Sequence, residues 1–294
     1  MNIQITMENY LNELESNKSA HTIKSYRSAL QRFVKWLDES WDNVNELEYI
    51  TPSIIRDYKA FLELKYKPAT SNQALIVLKN LLEYAESKGV HFVTSPLSSI
   101  KLKSVAQQNE TKWLERSDIP KLFHAIDVME RTNDVRKSMY RAIIGVLVNC
   151  GLRVSEVVAL KADDVNMKGG MIYVRGGKGD KYRTVPFGAK TAMLLHDWLA
   201  VREDDNEFMF YSKRSPQMTT RAVQHIVQRL SNDTGIDFTV HQLRHTFAKN
   251  VADSTGRIEA VSSLLGHTSI QTTKRYIEPS MKELQAYVSE VESY

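Results

Sequence analysis

The sequence predicts a mainly α-helical protein of two domains, with a small antiparallel β-sheet in the second. Three observations predict it. Apolar residues recur at three- and four-residue steps through residues 5–90 and in several stretches beyond 112, the period of helices that bury one face. Between 91 and 111 that period lapses, and Pro96, several serines and the run KLKSVAQQNET read as a linker. Residues 171–187, MIYVRGGKGDKYRTVPF, alternate like strands around a glycine-rich turn, the pattern of a β-hairpin. The expected division is a helical domain over 1–92, a linker over 93–111 and a second domain over 112–294, closed by a separate helix at 281–294. A length of 294 residues suits two domains better than one.

The first domain reads as four helices. One is expected over 6–16. A second starts near His21 and carries Ile23, Tyr26, Leu30, Phe33, Val34 and Leu37 on one stripe. Thr51 and Ser53 are helix-start residues for a third, with Ile55, Tyr58, Phe61 and Leu62 inward. Pro68 and Thr70 open the fourth, which buries Ala74, Val77, Leu78, Leu81 and Leu82 and ends at Gly89. The polar faces of the second and fourth helices carry Lys24, Arg27, Ser71, Asn72 and Lys79. Lys101 and Lys103 give the linker a basic start, suited to crossing a phosphate backbone.

In the second domain, Ser117 is placed to cap a helix carrying Leu122, Phe123 and Ile126, with Pro120 in its first turn. Residues 137–150 form an apolar, buried helix that Gly151 ends. GLRVSEVVAL then makes a short polar turn into a second apolar helix, with Ser155 as its cap. An arginine between apolar helices points to an ion pair, and Glu156 is the partner at hand for Arg153. Gly-Gly-Lys-Gly at the hairpin turn is no phosphate loop, because Gly179 follows Lys178 where Ser or Thr is needed, and a strand follows rather than a helix. EFMFYS, 207–212, reads as a third short strand or extended segment. Residues 219–234 form a helix ended by Gly235, and its Arg221, Gln224, His225 and Arg229 are candidates for groove contacts.

The densest chemistry lies between Phe238 and Tyr276. A helix is expected over 242–253, with Leu243, Phe247 and Val251 on its apolar stripe. His241 at its start and Arg244 three residues on share a face, beside unpaired backbone N–H groups and the positive end of the helix dipole, a site for a phosphate. His241 and His245 also stand at a zinc-pair spacing. The zinc-hydrolase motif needs Glu directly after the first His, however, and Gln242 stands there. No cysteine cluster supplies other ligands, so neither metal nor cofactor is expected.

Composition sets the class. The chain is 42% hydrophobic and 25% charged, the balance of a soluble globular protein. No apolar run approaches membrane-spanning length. MNIQITMENYLNELE is acidic and amphipathic, unlike a signal or transit peptide. Cys150 is the single cysteine and lies in the apolar run IIGVLVNC, which reads as core in a cytoplasmic protein. A net charge of +4 permits a nucleic-acid partner.

H-x-L-R-H at 241–245, L-G-H at 265–267 and Tyr276 nine residues beyond His267 resemble the tyrosine recombinase, or phage integrase, family, in its short Xer-like and transposon-resolvase forms. The first signature box, G-L-R-x-S-E-x-x-x-L, is matched in full at Gly151, Leu152, Arg153, Ser155, Glu156 and Leu160. Val240 departs from the pattern, where a proline is common. The resemblance covers nearly the whole chain and implies a helical core-binding domain that grips DNA, followed by an α+β catalytic domain. It assigns Arg153, Lys178, His241, Arg244, His267 and Tyr276 to catalysis, with Glu156 orienting Arg153. It implies double-stranded DNA sites as partners, four protomers in a synaptic complex, a Holliday junction and, in some systems, accessory proteins. The tail after Pro279 carries Met281, Leu284, Val288 and Val291 at helical steps, with Glu283, Glu290 and Glu292 against Lys282. By resemblance this acidic helix docks on a neighbouring protomer. Two other readings use the same residues: a type IB topoisomerase-like relaxer, distinguished by whether two labelled duplexes become joined, and a DNA-binding protein without chemistry, distinguished by the absence of a covalent adduct.

Overall fold

A computed structural model describes residues 1–41, 44–100, 102–103, 113–175, 182–202, 206–212, 215–266 and the single positions 273, 285, 288 and 289. Lys101, Lys178, His267, Tyr276 and most of 281–294 lie outside the described residues. The chain divides into two compact units, Met1–Gln108 and Asn109–Tyr294.

The first unit is a four-helix bundle of α1 (Ile3–Glu15), α2 (Ala20–Ser40), α3 (Pro52–Lys65) and α4 (Pro68–Ser87). Side-chain oxygens of Asn2, Ser19 and Thr51 accept orphan N–H groups at the first three helix starts, and prolines open α3 and α4. The expected stripes meet at Leu30, Phe33, Leu37, Ile55, Tyr58, Leu62, Leu78 and Leu82. Phe33 meets Tyr58 edge-on at 4.9 Å between ring centres, and Trp36 lies 5.0 Å from the same ring. The segment expected to be linker departs from expectation at its start. A 3₁₀ turn at Pro96–Ser99 follows the bundle, and Leu97 and Ile100 pack on its core. Two apolar residues in a short polar setting show no period, so pattern alone does not reveal this packing.

The second unit contains α5 (Asp118–Asp127), α6 (Asp134–Cys150), α7 (Val154–Ala159), β1 (Val165–Asn166), β2 (Met171–Val174), β3 (Arg183–Pro186), α8 (Ala189–Val201), α9 (Thr220–Thr234), α10 (Val240–Thr255) and α11 (Ile258–Leu265). The strands form one antiparallel sheet in the order β1-β2-β3, with Ile172 opposite Val165 on one side and Val185 on the other. Helix α6 is the central post, with Ala142, Ile143, Ile144, Val146 and Leu147 fully buried between its neighbours α8 and α10. Burial pushes the Cys150 thiol up to about 12, as befits a core cysteine. Among the described residues no helix is long and apolar enough to cross a membrane.

Several local expectations need correction. Ser117 makes no capping hydrogen bond, and Ser155 lies inside α7 rather than at its cap, which is Arg153. Of the two readings of residues 207–212, a third short strand or an extended segment, the strand is the one excluded. Their backbone is held by a bridge between Lys161 and Phe208 and by the Met209 N–H on Leu160 O at 2.7 Å, while the third strand is the two-residue β1. Helices α8 and α11 add to the expected set, and Leu194, Leu195 and Trp198 form the buried stripe of α8.

Gly151 joins this core to the chain's chemistry. It ends α6 with φ +62°, in the left-handed region, and a Cβ there would stand 2.2 Å from Phe247 Cδ1 of α10. Gly151→Ala should therefore lower stability by roughly 2–5 kcal/mol, from left-handed strain plus overpacking. Chemical denaturation followed by circular dichroism checks this, and an unchanged midpoint would contradict the close approach of α6 and α10.

Candidate active site

Glu156 is the centre of the site. Helix α6 stops at Gly151, Leu152 turns inward, and Arg153 becomes the N-cap of α7, so Glu156 falls at the third helical position. A carboxylate there reaches back to the cap, and the Arg153 N–H donates to Glu156 Oε2 at 2.6 Å. Three guanidiniums surround the same carboxylate. Arg153 Nη1 donates to Oε1 at 3.0 Å, Arg183 donates through both terminal nitrogens at 2.7 Å each, and Arg244 Nη1 lies 3.7 Å from Oε2. The Glu156 side chain is only 6% exposed. Burial pushes its pKa up, but the Arg183 hydrogen bonds and charge, the Arg153 N–H and the Arg244 charge outweigh burial and hold it below its ordinary 4.5.

Arg244 projects inward from α10. Its Nη1 donates to Gly151 O at 2.5 Å and its Nη2 to Leu265 O at 2.6 Å. Those carbonyls close α6 and α11, where carbonyls lack helical partners and the dipole is negative, so a cation is well placed there. His241 is exposed, whereas Arg244 is buried. Arg244 finds its acceptors in the interior, Gly151 O, Leu265 O and the Glu156 carboxylate. Gln242 accepts the Thr239 N–H at 2.8 Å and closes the helix start.

Arg183 is the site residue that sequence reasoning missed. It sits on β3 with Val185, two residues on and fully buried, so both side chains point to the inner face of the sheet. That alternation was the available signal. Its Nε also donates to Leu264 O at 3.1 Å. Gly266, at φ +62°, makes room for it, since a Cβ there would stand 2.9 Å from Arg183 Cδ. Arg153, Glu156 and Arg244 are thus brought together with Arg183 from three separate segments, α7 with its cap, β3 and α10.

The candidate DNA contacts fare unevenly. In the first unit Lys24 and Lys79 are exposed, the latter 3.4 Å from Glu83, and Arg27 is paired with Glu8. Ser71 is not on the polar face: it is buried, and its hydroxyl donates to Leu62 O at 3.1 Å. Asn72 uses both ends of its amide on the Lys103 backbone, at 2.9 and 3.0 Å, and the Lys103 amine meets Glu63 at 3.0 Å. In the second unit Arg221 and Gln224 are exposed. Arg229 is instead engaged with Glu130 O at 2.9 Å, Thr132 and Asp233, bracing α9 against the turn after α5.

A buried carboxylate that loses its charge leaves guanidiniums unpaired, at a cost of about 3–5 kcal/mol. Glu156→Gln should lower stability by that order at neutral pH. The folded carboxyl titrates below the unfolded one, so its contribution is complete above the ordinary value of 4.5 and is lost as pH falls through the depressed folded value. The gap between wild type and variant in denaturation midpoint should therefore narrow on acidification. A gap independent of pH would contradict a charged Glu156.

Comparison with known proteins shows the family. The phage integrase family profile matches residues 112–283, and the phage integrase N-terminal SAM-like domain matches residues 7–89. Tyrosine recombinase XerA of Thermococcus kodakarensis is 31% identical, over 95% of this chain and 91% of its own length. Tyrosine recombinase XerC of Thermodesulfovibrio yellowstonii is 30% identical, over 96% and 94%. The TnP I resolvase of Bacillus thuringiensis is 27% identical, over 97% and 98%. Among solved structures, XerA recombinase is 27% identical with a TM-score of 0.53, covering 98% of both chains. XerH site-specific recombinase, crystallised on its palindromic difH substrate, has the same fold, with 23% identity and a TM-score of 0.78 over 97% of this chain and 84% of that one. The chain belongs to the phage integrase family, the DNA strand-exchanging tyrosine recombinases.

Proposed function

We propose that this chain cuts and rejoins DNA at a specific site through a covalent bond between Tyr276 and the 3′ phosphate. The observation that carries the reading is the convergence of the motif arginines Arg153 and Arg244, from different helices, on the buried carboxylate of Glu156. A phosphodiester gains charge on its non-bridging oxygens as it is attacked, and guanidiniums grip such oxygens in a fork. Arg153, 40% exposed at the side chain, supplies one grip, while Arg244 and His267 supply further stabilisation. One preorganised donor of this kind contributes about 3–4 kcal/mol.

Tyr276 is the nucleophile. A free phenol has a pKa of about 10, so roughly one molecule in a thousand is ionised at neutral pH and a base must take its proton. His241, exposed at the start of α10, is that base. Lys178, which lies between β2 and β3 in the sequence, gives a proton to the departing 5′ oxygen. The bond energy stays in the tyrosyl ester, so neither metal nor nucleotide enters the reaction.

The first domain acts as the core-binding half of a clamp, and the C-terminal stretch from 112 acts as the catalytic half, joined by the strap that carries Lys101 and Lys103. Lys24, Lys79, Arg221 and Gln224 lie against DNA. Arg27 and Lys103 exchange their exposed or half-exposed carboxylates for phosphate at small cost. Four protomers hold two sites together in the cytoplasm and exchange strands through a Holliday junction, with or without accessory proteins. The helix that the sequence predicts over 281–294 docks on a neighbouring protomer, a role supported by the exposure of Val288.

The test is a nicked duplex carrying the binding site, incubated with protein in EDTA. Wild type should accumulate a covalent protein–DNA species and release the short fragment that ends in a free 5′ hydroxyl. Tyr276→Phe should bind with near-normal affinity and form none. A covalent band from the variant removes Tyr276 as nucleophile. Relaxed circles without joined products from two labelled duplexes would favour a topoisomerase-like relaxer.

A further inference from the structure

Arg183 is outside the six motif positions, yet it grips both oxygens of the central carboxylate. Its fork holds both oxygens of Glu156 at 2.7 Å, and its Nε holds Leu264 O at 3.1 Å. Its aliphatic stem lies against the Gly266 backbone, directly before His267. Its strand follows Lys178 by five residues. The side chain is 14% exposed, against 40% for Arg153. Arg153 can therefore reach a ligand from the same carboxylate that Arg183 grips from within.

We propose that Arg183 is a positioning residue for strand cleavage, tying β3 and the Leu264–Gly266 turn to Glu156 and so fixing the guanidinium of Arg153. The physical reason is the bidentate pair. A carboxylate gripped at both oxygens cannot rotate, and its remaining lone pairs then point in set directions at Arg153 Nη1 and at the Arg153 N–H. Without Arg183 the carboxylate turns toward Arg153 and Arg244 and draws them from the geometry that a phosphate requires. Displacements of this size slow a preorganised reaction strongly. A lysine keeps the charge but not the fork or the third donor.

This inference rests on the cleavage reaction proposed above, so wild type is run in parallel on the same nicked duplex. Single-turnover adduct formation is measured at saturating protein, below the unfolding midpoint of every variant, together with DNA affinity and the pH profile of the rate. Arg183→Gln should bind DNA as wild type does and cleave on the order of 10–100-fold more slowly. Arg183→Lys should recover only part of the rate. Near neutral pH the Arg183→Gln profile should keep the wild-type shape at a lower rate, because the base and the nucleophile are unchanged. Should Arg183→Gln fail to fold, Arg183→Lys alone decides: slow cleavage in a folded protein supports the role, and a wild-type rate overturns it. A wild-type rate in folded Arg183→Gln, or a profile near neutral pH whose shape changes, also overturns it. Absence of any adduct with wild type would instead count against the cleavage reaction itself.

Discussion

The carboxylate of Glu156 is the interaction on which the catalytic half depends. Burying a carboxylate costs several kcal/mol, and attraction repays this only when partners are close and well aligned. Here it receives a backbone N–H, a bidentate guanidinium and a second guanidinium, with a third at 3.7 Å. Three cations around one anion leave a local excess of two positive charges among the described residues. That excess is uncomfortable for an empty protein and suited to a phosphate whose charge grows as it reacts. One side chain thus holds like charges close together and aims them.

The surrounding fold can be read as the frame for that cluster. Helix α6 is buried along most of its length and ends on a left-handed glycine, so its last carbonyls are fixed where Arg244 can reach them. Helix α11 ends on a second left-handed glycine, and its last carbonyls take hydrogen bonds from Arg183 and Arg244. In both cases a helix C-terminus with unpaired carbonyls receives a guanidinium. The glycines of the G-L-R and L-G-H motifs therefore serve packing as directly as the charged residues serve chemistry: Gly151 admits Phe247, and Gly266 admits Arg183.

Much of this was visible in the sequence, for identifiable reasons. Stripes such as Ile23–Leu30–Phe33–Leu37 name α2 because a helix buries one face, and MIYV names β2 because a half-buried strand alternates. The G-L-R-x-S-E box placed Arg153 beside Glu156 because they are three apart. The inward turn of Arg244 was hidden, since its acceptors Gly151 O, Leu265 O and Glu156 come from distant parts of the chain. Ser71 looked like a surface residue because a hydroxyl that bonds back to Leu62 O cannot be told from one facing water. Arg183 was passed over because a charge near a hairpin turn usually faces solvent, although its pairing with Val185 on the inner face was there to be read.

The central claim is that Glu156 organises guanidiniums for phosphoryl transfer and does not merely stabilise the fold. It is tested most directly by single-turnover cleavage with Glu156→Gln, at saturating protein and well below that variant's unfolding midpoint. The account predicts a cleavage rate lower by about 10–100-fold with DNA affinity unchanged. A folded Glu156→Gln protein that cleaves at the wild-type rate would contradict it.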